Sequence, residues 1–218
     1  MPDRDYYRIL LASDWRLTDL YEFPHAYSQN YAFTYCLDSN LDPRDRQRID
    51  YALENYPWRG GYSYVNIYTV LQNQIPRRDR PRIKSISKSS PGWLDLFLNV
   101  DVAIQVAKSV DVLAGSAATA TYAYKNIQKY LGDININRRK HQLQEMQITQ
   151  AEAKVYNSMC LEMAKYLGFK NLKELQERTG SPEVTLKLLL AHYRRISKIV
   201  EYGEKGKATL PLEEEIED

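Results

Sequence analysis

The segment NVDVAIQVAKSVDVLAGSAATATYAY, residues 99–124, decides how this chain is interpreted. It is apolar over most of its length, yet it carries Asp101, Lys108 and Asp111 and ends in a run of small residues. On a helix that turns by about 100° per residue, Asp101, Gln105 and Lys108 fall on one side. The segment therefore predicts an amphipathic helix with a charged stripe.

A lone membrane-spanning helix does not fit this segment. Each charge near the middle of a span costs about 2.5–3.5 kcal/mol, whereas each Val, Ile or Leu returns only about 0.3–0.6 kcal/mol. Two interpretations remain open. Either the helix packs in a soluble bundle with its stripe in water, or several copies enclose a wet pore. In the second interpretation the pore is lined by Asp101, Gln105, Lys108 and Asp111.

Composition places the chain among ordinary folded proteins. It has 218 residues, of which 44% are hydrophobic and 27% charged, and a net charge of +2. Two distant cysteines, Cys36 and Cys160, make no disulfide framework, and no leader peptide is recognisable. The sequence therefore predicts a protein in the cytoplasm or on the cytoplasmic face of the inner membrane. Its isolated histidines predict neither a metal site nor a cofactor.

The order of elements predicts an α+β fold. Residues 1–90 are expected to form a small domain with a three-stranded sheet, whose strands are residues 6–12, 62–72 and 82–90. Residues 91–131 are expected to form an apolar helix that begins at Trp93 and breaks near Gly132. If several copies enclose a pore, this helix lies in the membrane or lines that pore. Residues 132–218 are expected to form a helical ligand-binding or assembly region with an acidic tail. A long, mainly helical region that self-associates thus follows the sheet domain.

Two clusters of basic residues are candidate binding sites. The first, in IPRRDRPRIK, is either a patch for phosphates or lipid headgroups or a solvated hairpin turn, and comprises Arg77, Arg78, Arg80, Arg82 and Lys84. The second lies on the last helix, where a preceding helix and a tight turn suggest a helix–turn–helix. It either meets the phosphates of a ligand or is a solvated helix face, and comprises Lys187, His192, Arg194, Arg195 and Lys198.

The strand RIKSISKSS, then Pro91-Gly92, then the apolar stretch WLDLF give the order strand, Ser-Pro-Gly, apolar helix over about residues 82–131. This order resembles that of a loose group of small bacterial proteins. Architecture and chain size are also similar to those of Hailong-type antiphage effectors. That resemblance implies an ion channel that a nucleic-acid ligand holds shut.

These observations predict a non-enzymatic effector that forms a homo-oligomer, with a tetramer as the expected stoichiometry. It acts as a membrane pore in bacterial antiphage defence, gated by a nucleotide or a single-stranded oligonucleotide. The alternative is a soluble helical scaffold or adaptor that binds nucleic acid through its C-terminal helix pair. No sequence motif for hydrolytic or metal-dependent catalysis is present, so we do not expect an enzyme.

Overall fold

A small antiparallel sheet and a larger helical layer make up the α+β fold of the computed structural model. The model describes residues 6–12, 14–38, 41–54, 67–89, 91–140, 150–169 and 172–212; the predicted acidic tail from residue 213 lies outside them. The strands are β1 (Tyr7–Leu11), β2 (Arg82–Ser87), β3 (Gly92–Phe97) and β4 (Ala208–Thr209). The helices are α1 (Leu17–Leu37), α2 (Pro43–Glu54), α3 (Ile67–Gln74), α4 (Val100–Ala114), α5 (Ala117–Lys140), α6 (Gln150–Tyr166), α7 (Leu172–Thr179) and α8 (Pro182–Glu204).

The sheet has the strand order β2-β3-β1-β4, and every neighbouring pair is antiparallel. Its register places Tyr7 opposite Leu96 and Ile9 opposite Leu94. Because side chains alternate along a strand, these four residues share one face, and all are buried. We call this the inner sheet face; it forms one core with α1, α4 and α8.

Helix α8 lies between two cores. One side contributes residues such as Leu188 and Ile199 to the core beneath the sheet. The other side contributes Leu189 and Ile196 to a second core, shared with α5, α6 and α7. A helix that is apolar on two sides is buried by its neighbours, so α8 is an internal support of the fold.

Several helix boundaries match their sequence signals. Pro43 begins α2 and Pro182 begins α8, where a missing N–H costs no intrahelical bond. Gly180 has φ of 68°, a conformation that glycine adopts without a Cβ penalty, directly after α7. The predicted arrangement of two helices joined by a tight turn is therefore confirmed for residues 172–204.

Two predicted elements are wrong. The stretch that begins at Trp93 is strand β3, because Leu94 and Leu96 alternate into the core while Trp93 and Phe97 point to the opposite face. Residues 67–74 form helix α3 instead of a strand, since Ile67, Leu71 and Ile75 bury one helical side. The remainder of that predicted strand lies outside the described residues.

The long apolar helix predicted up to Gly132 is also interrupted earlier. Helix α4 ends at Ala114, just before Gly115, and α5 continues through Gly132. Among the helices that the structure describes, none is long and apolar enough to cross a membrane.

The sheet has four strands within the described residues, one more than predicted. Strands β3 and β4 were not expected, whereas residues 67–72 of the predicted strand 62–72 lie in α3. Strands β3 and β4 lie beyond residue 90, where the sequence places a domain boundary. The sheet and the core beneath it therefore contain residues from both sides of that boundary.

Candidate functional site

The face of the sheet opposite the inner core carries aromatic and basic side chains. Arg8 pairs with Asp95, Leu10 pairs with Trp93, and Arg82 pairs with Phe97, so all six alternate away from the inner sheet face. Leu10, Arg82 and Lys84 on this side are exposed, and the rings of Trp93 and Phe97 are half-buried. We call it the outer sheet face, and its members are Tyr6, Arg8, Leu10, Arg82, Lys84, Ser85, Ser87, Trp93, Asp95 and Phe97.

A buried carboxylate lies at the centre of the outer sheet face. Arg8 Nε donates to Asp95 Oδ1 at 2.7 Å, Arg8 Nη2 donates to Oδ2 at 3.0 Å, and the Ser85 hydroxyl donates to Oδ2 at 2.8 Å. Burial alone would raise the pKa of Asp95, but the hydrogen bonds from Arg8 and Ser85, with the charges of Arg8 and Lys84, hold it below its ordinary value. Asp95 therefore stays ionised and holds the side chain of Arg8 on the neighbouring strand β1.

Three cations lie over three aromatic rings of this face. Lys84 Nζ is 3.2 Å from the centroid of the Tyr6 ring and 5.7 Å from that of Phe97. Arg8 Cζ is 5.0 Å from the Trp93 ring and 5.7 Å from the Tyr6 ring. Arg82 Cζ is 5.8 Å from the Phe97 ring. Distances within about 6 Å are typical of cation–π contacts.

A bulge in β2 makes this arrangement possible. The pairing of β2 with β3 shifts between Ile83 and Ser85, which leaves Lys84 as the extra residue of its strand. Lys84 thereby shares a face with Ser85 and reaches the Tyr6 ring two strands away. The aromatic rings are half-buried, and Arg82 and Lys84 are exposed.

The first predicted basic cluster is divided between two places. Arg82 and Lys84 belong to the outer sheet face, whereas Arg77 is exposed in the turn that precedes β2. Arg78 forms ion pairs with Asp79 at 3.3 Å and Asp45 at 3.4 Å.

Arg80 also has a structural partner. Its Nε donates to the carbonyl of Ile75 at 2.8 Å, just after the last residue of α3. Two of the five predicted cations, Arg78 and Arg80, thus have partners within the fold.

The residues of the second predicted basic cluster all lie on α8, but they do not share one environment there. His192 is buried, with its ring stacked 4.0 Å from that of Phe33, and burial lowers its pKa to about 3. Lys187 Nζ lies 2.5 Å from Glu183 Oε1. His192 is therefore a core residue that no ligand reaches at the surface.

The arginines at the end of this cluster contact aromatic side chains. Arg194 Nη1 donates to the Tyr124 hydroxyl at 3.3 Å, and Arg195 Cζ is 5.4 Å from the Tyr68 ring. Lys198 is exposed. The side chains of this cluster that can bind a phosphate are therefore mainly those of Arg194, Arg195 and Lys198.

The four residues predicted to line a pore are all exposed on α4: Asp101, Gln105, Lys108 and Asp111. Between them the helix buries residues such as Val102 and Val106 against the core. This arrangement is that of a surface helix with one polar side, and nothing in the described residues supports a pore.

Sequence reasoning missed Tyr6, Arg8 and Phe97 as members of a site. The signal was the strand alternation in YYRILL and in GWLDLF, which separates polar or aromatic residues from Ile9, Leu94 and their neighbours. Within the described part of the chain, no group of three or more His, Cys, Asp or Glu residues is placed to hold a metal ion.

Comparison of the chain with protein-family models, with curated proteins and with solved structures finds no match. The resemblance to Hailong-type effectors therefore stays a prediction.

Proposed function

We propose that this protein is a binding protein, not an enzyme, and that its outer sheet face binds single-stranded nucleic acid. The observation that carries the proposal is the set of cations Arg8, Arg82 and Lys84 above the rings of Tyr6, Trp93 and Phe97. The proposal keeps the ligand class of the predicted adaptor but moves the binding surface from the last helix pair to the sheet.

The chemistry of this face suits an unpaired strand. Aromatic rings on an open sheet stack with exposed bases, and each such stack is worth about 1–3 kcal/mol. Neighbouring cations bind the phosphates between the bases. The bases of a duplex are already stacked on one another, whereas unpaired bases are free to stack on these rings, so we expect a preference for single strands.

Charge also favours an anionic ligand. The outer sheet face holds three cations, and its only carboxylate among the described residues, Asp95, is already engaged by Arg8 and Ser85. Arg82 and Lys84 are exposed, and the contacts described for them on this face are cation–π contacts with Phe97 and Tyr6. They can exchange these rings for phosphates without breaking an ion pair of the sheet.

The test is fluorescence anisotropy with fluorescein-labelled oligo(dT) and oligo(U), each about 12 nucleotides long, to cover one small binding face. We expect Arg82→Ala with Lys84→Ala to weaken binding about tenfold at low salt and to reduce the salt slope by about 1.4, as for two phosphate contacts on a single strand. The matched control is Arg194→Ala with Lys198→Ala, which removes two cations from α8. Binding that only the control variant loses would transfer the site to α8, and no salt-dependent binding at all would refute both.

Stacking has a separate test. Trp93→Leu keeps a large apolar side chain in β3 but removes the ring under Arg8. We expect a loss of about 1–3 kcal/mol in binding, with an unchanged salt slope. If Trp93→Leu binds as tightly as the natural chain, the ring does not stack on a base.

Self-association, with a tetramer as the expected form, remains part of the proposal. Native mass spectrometry of the chain without detergent measures the stoichiometry, with and without the oligonucleotide.

A further inference from the structure

An apolar groove of about 430 Å³ runs between α1 and the outermost strand β2. It lies on the inner side of the sheet and is therefore separate from the outer sheet face. Its volume is within the range of small-molecule pockets, about 300–1,000 Å³. The residues that line it are Leu11, Trp15, Leu20, Phe23, Pro24, Tyr27, Ser28, Pro81, Ile83, Ile86, Leu94 and Leu96.

The two walls of the groove have similar lengths. One wall is the stripe Leu20, Pro24 and Tyr27, which repeats every three to four residues of α1. The other wall is Ile83 and Ile86 of β2, which pair with Leu96 and Leu94 on the inner sheet face. Each wall extends about 10 Å, from the rise of 1.5 Å per helical and about 3.3 Å per strand residue.

Among the described residues, the helical layer leaves part of β2 uncovered, and this opens the groove. Ile83 and Ile86 are 64% and 54% exposed, although they share a face with buried leucines, and Leu20 on the opposite wall is 41% exposed. Phe23, by contrast, is fully buried at the base. The buried floor and the exposed walls thus form one contiguous apolar concavity. Apolar side chains that are exposed singly on a surface would not form such a site.

The groove offers almost no polar partner. None of its lining residues carries a formal charge. The Ser28 hydroxyl accepts from Gln72 Nε2 at 3.0 Å, and Trp15 Nε1 donates to the carbonyl of Lys207 at 2.8 Å. A charged ligand buried here would lose its hydration without compensation.

One polar group of the lining is nevertheless left without a partner. Tyr27 lines the groove, and its buried hydroxyl has no hydrogen-bond partner among the described residues. A ligand with a single hydroxyl could bind it.

A strand from a partner is a poorer match for the same place. Edge strand β2 has a bulge next to Ile83 and carries exposed Arg82 and Lys84. Bulges and exposed cations are the features that prevent edge-to-edge pairing of sheets.

We propose that this groove binds an uncharged, largely apolar small molecule, elongated and with at most one hydroxyl, such as a medium-chain alcohol. The proposal does not depend on the nucleic-acid function, because the two surfaces lie on opposite faces of the sheet. Binding would bury Ile83, Ile86 and Leu20, whose exposure is otherwise unfavourable.

The test uses Nile red as an uncharged fluorescent probe and 1-decanol as its competitor, with the full chain. We expect saturable binding of one Nile red per chain, displaced by 1-decanol. Leu20→Lys with Ile86→Lys should weaken probe binding at least tenfold, since it places two charges on the walls. The matched control, Leu161→Lys with Val112→Lys, replaces two exposed apolar residues on α6 and α4 and should bind normally.

A second variant covers the case in which two lysines unfold the chain. Leu20→Trp fills the groove with an apolar ring and should also reduce probe binding, with an unchanged circular dichroism spectrum. Absence of saturable binding to the natural chain, or an equal loss in the control variant, would overturn the proposal. So would native masses that show a dimer broken by Leu20→Lys with Ile86→Lys, because a second copy would then occupy the groove.

Discussion

His192 makes the stability of this protein depend on pH below neutrality. Its imidazole is stacked on Phe33 in the core, and burial lowers its pKa to about 3, whereas an unperturbed histidine titrates at about 6.5. Below pH 6.5 the unfolded chain therefore binds a proton at this position that the folded chain does not. The free energy of unfolding falls as the pH falls, until it levels off near pH 3.

The size of the effect follows from the difference between the two pKa values. Each pH unit between them corresponds to about 1.4 kcal/mol. From pH 7.5 to pH 5.0 the His192 contribution to the free energy of unfolding should thus fall by about 2 kcal/mol.

The perturbation is His192→Phe, which keeps a ring beside Phe33 and removes the titrating group. It also removes the buried Nδ1, which has no hydrogen-bond partner in the described part of the chain, so we expect its stability at pH 7.5 to lie within about 1.5 kcal/mol of the natural chain. Urea unfolding followed by circular dichroism at pH 7.5 and 5.0 measures the difference.

His25→Gln is the matched control, because His25 lies on the surface of α1. It keeps His192 and should therefore keep the His192 contribution to the loss between the two pH values, while His192→Phe should lose about 2 kcal/mol less than the natural chain. Equal losses in the natural chain and in His192→Phe would refute the assignment of a buried neutral histidine.

Three further outcomes follow from buried groups. Burial raises the pKa of the Cys36 and Cys160 thiols to about 12; iodoacetamide at pH 8 should therefore label neither in the folded protein, and rapid labelling there would contradict their burial. Leu189→Ala should lower the free energy of unfolding by about 2–5 kcal/mol, because Leu189 is fully buried in the second core; a loss below 1 kcal/mol in urea unfolding would argue against that core. Asp95→Asn should cost about 1–3 kcal/mol by weakening the charged hydrogen bonds from Arg8, and the cost should disappear in an Arg8→Ala background if this pair is its source.

Local signals predict several helix boundaries correctly, but not the break after Ala114 or the identity of every strand. Pro43 and the Ser181-Pro182-Glu183 start mark helix ends through backbone chemistry that acts within a few residues. The stretch from Trp93 to Phe97 was misassigned because its apolar residues occur on both sides of a strand. Only the pairing with β1 separates a buried side from an open one.

The candidate site was even less accessible to sequence reasoning. Tyr6 and Arg8 are about 87 residues from Asp95 in the chain, and they meet only through the register of β1 and β3. Period-2 alternation predicts that faces exist, but it cannot say which strands are neighbours. The same limit explains why His192 was predicted as a surface residue. The order of residues along α8 does not reveal that two cores bury opposite sides of that helix.

The position of β1 between β3 and β4 has a consequence for how the chain is made. Strand β1 is synthesised first, yet one neighbour comes more than 80 residues later and the other nearly 200 residues later. Contacts so distant in sequence slow folding. Until those neighbours are synthesised, the apolar side chains of Tyr7 and Ile9 stay exposed. A nascent chain stalled before α8 should therefore be a substrate for chaperones.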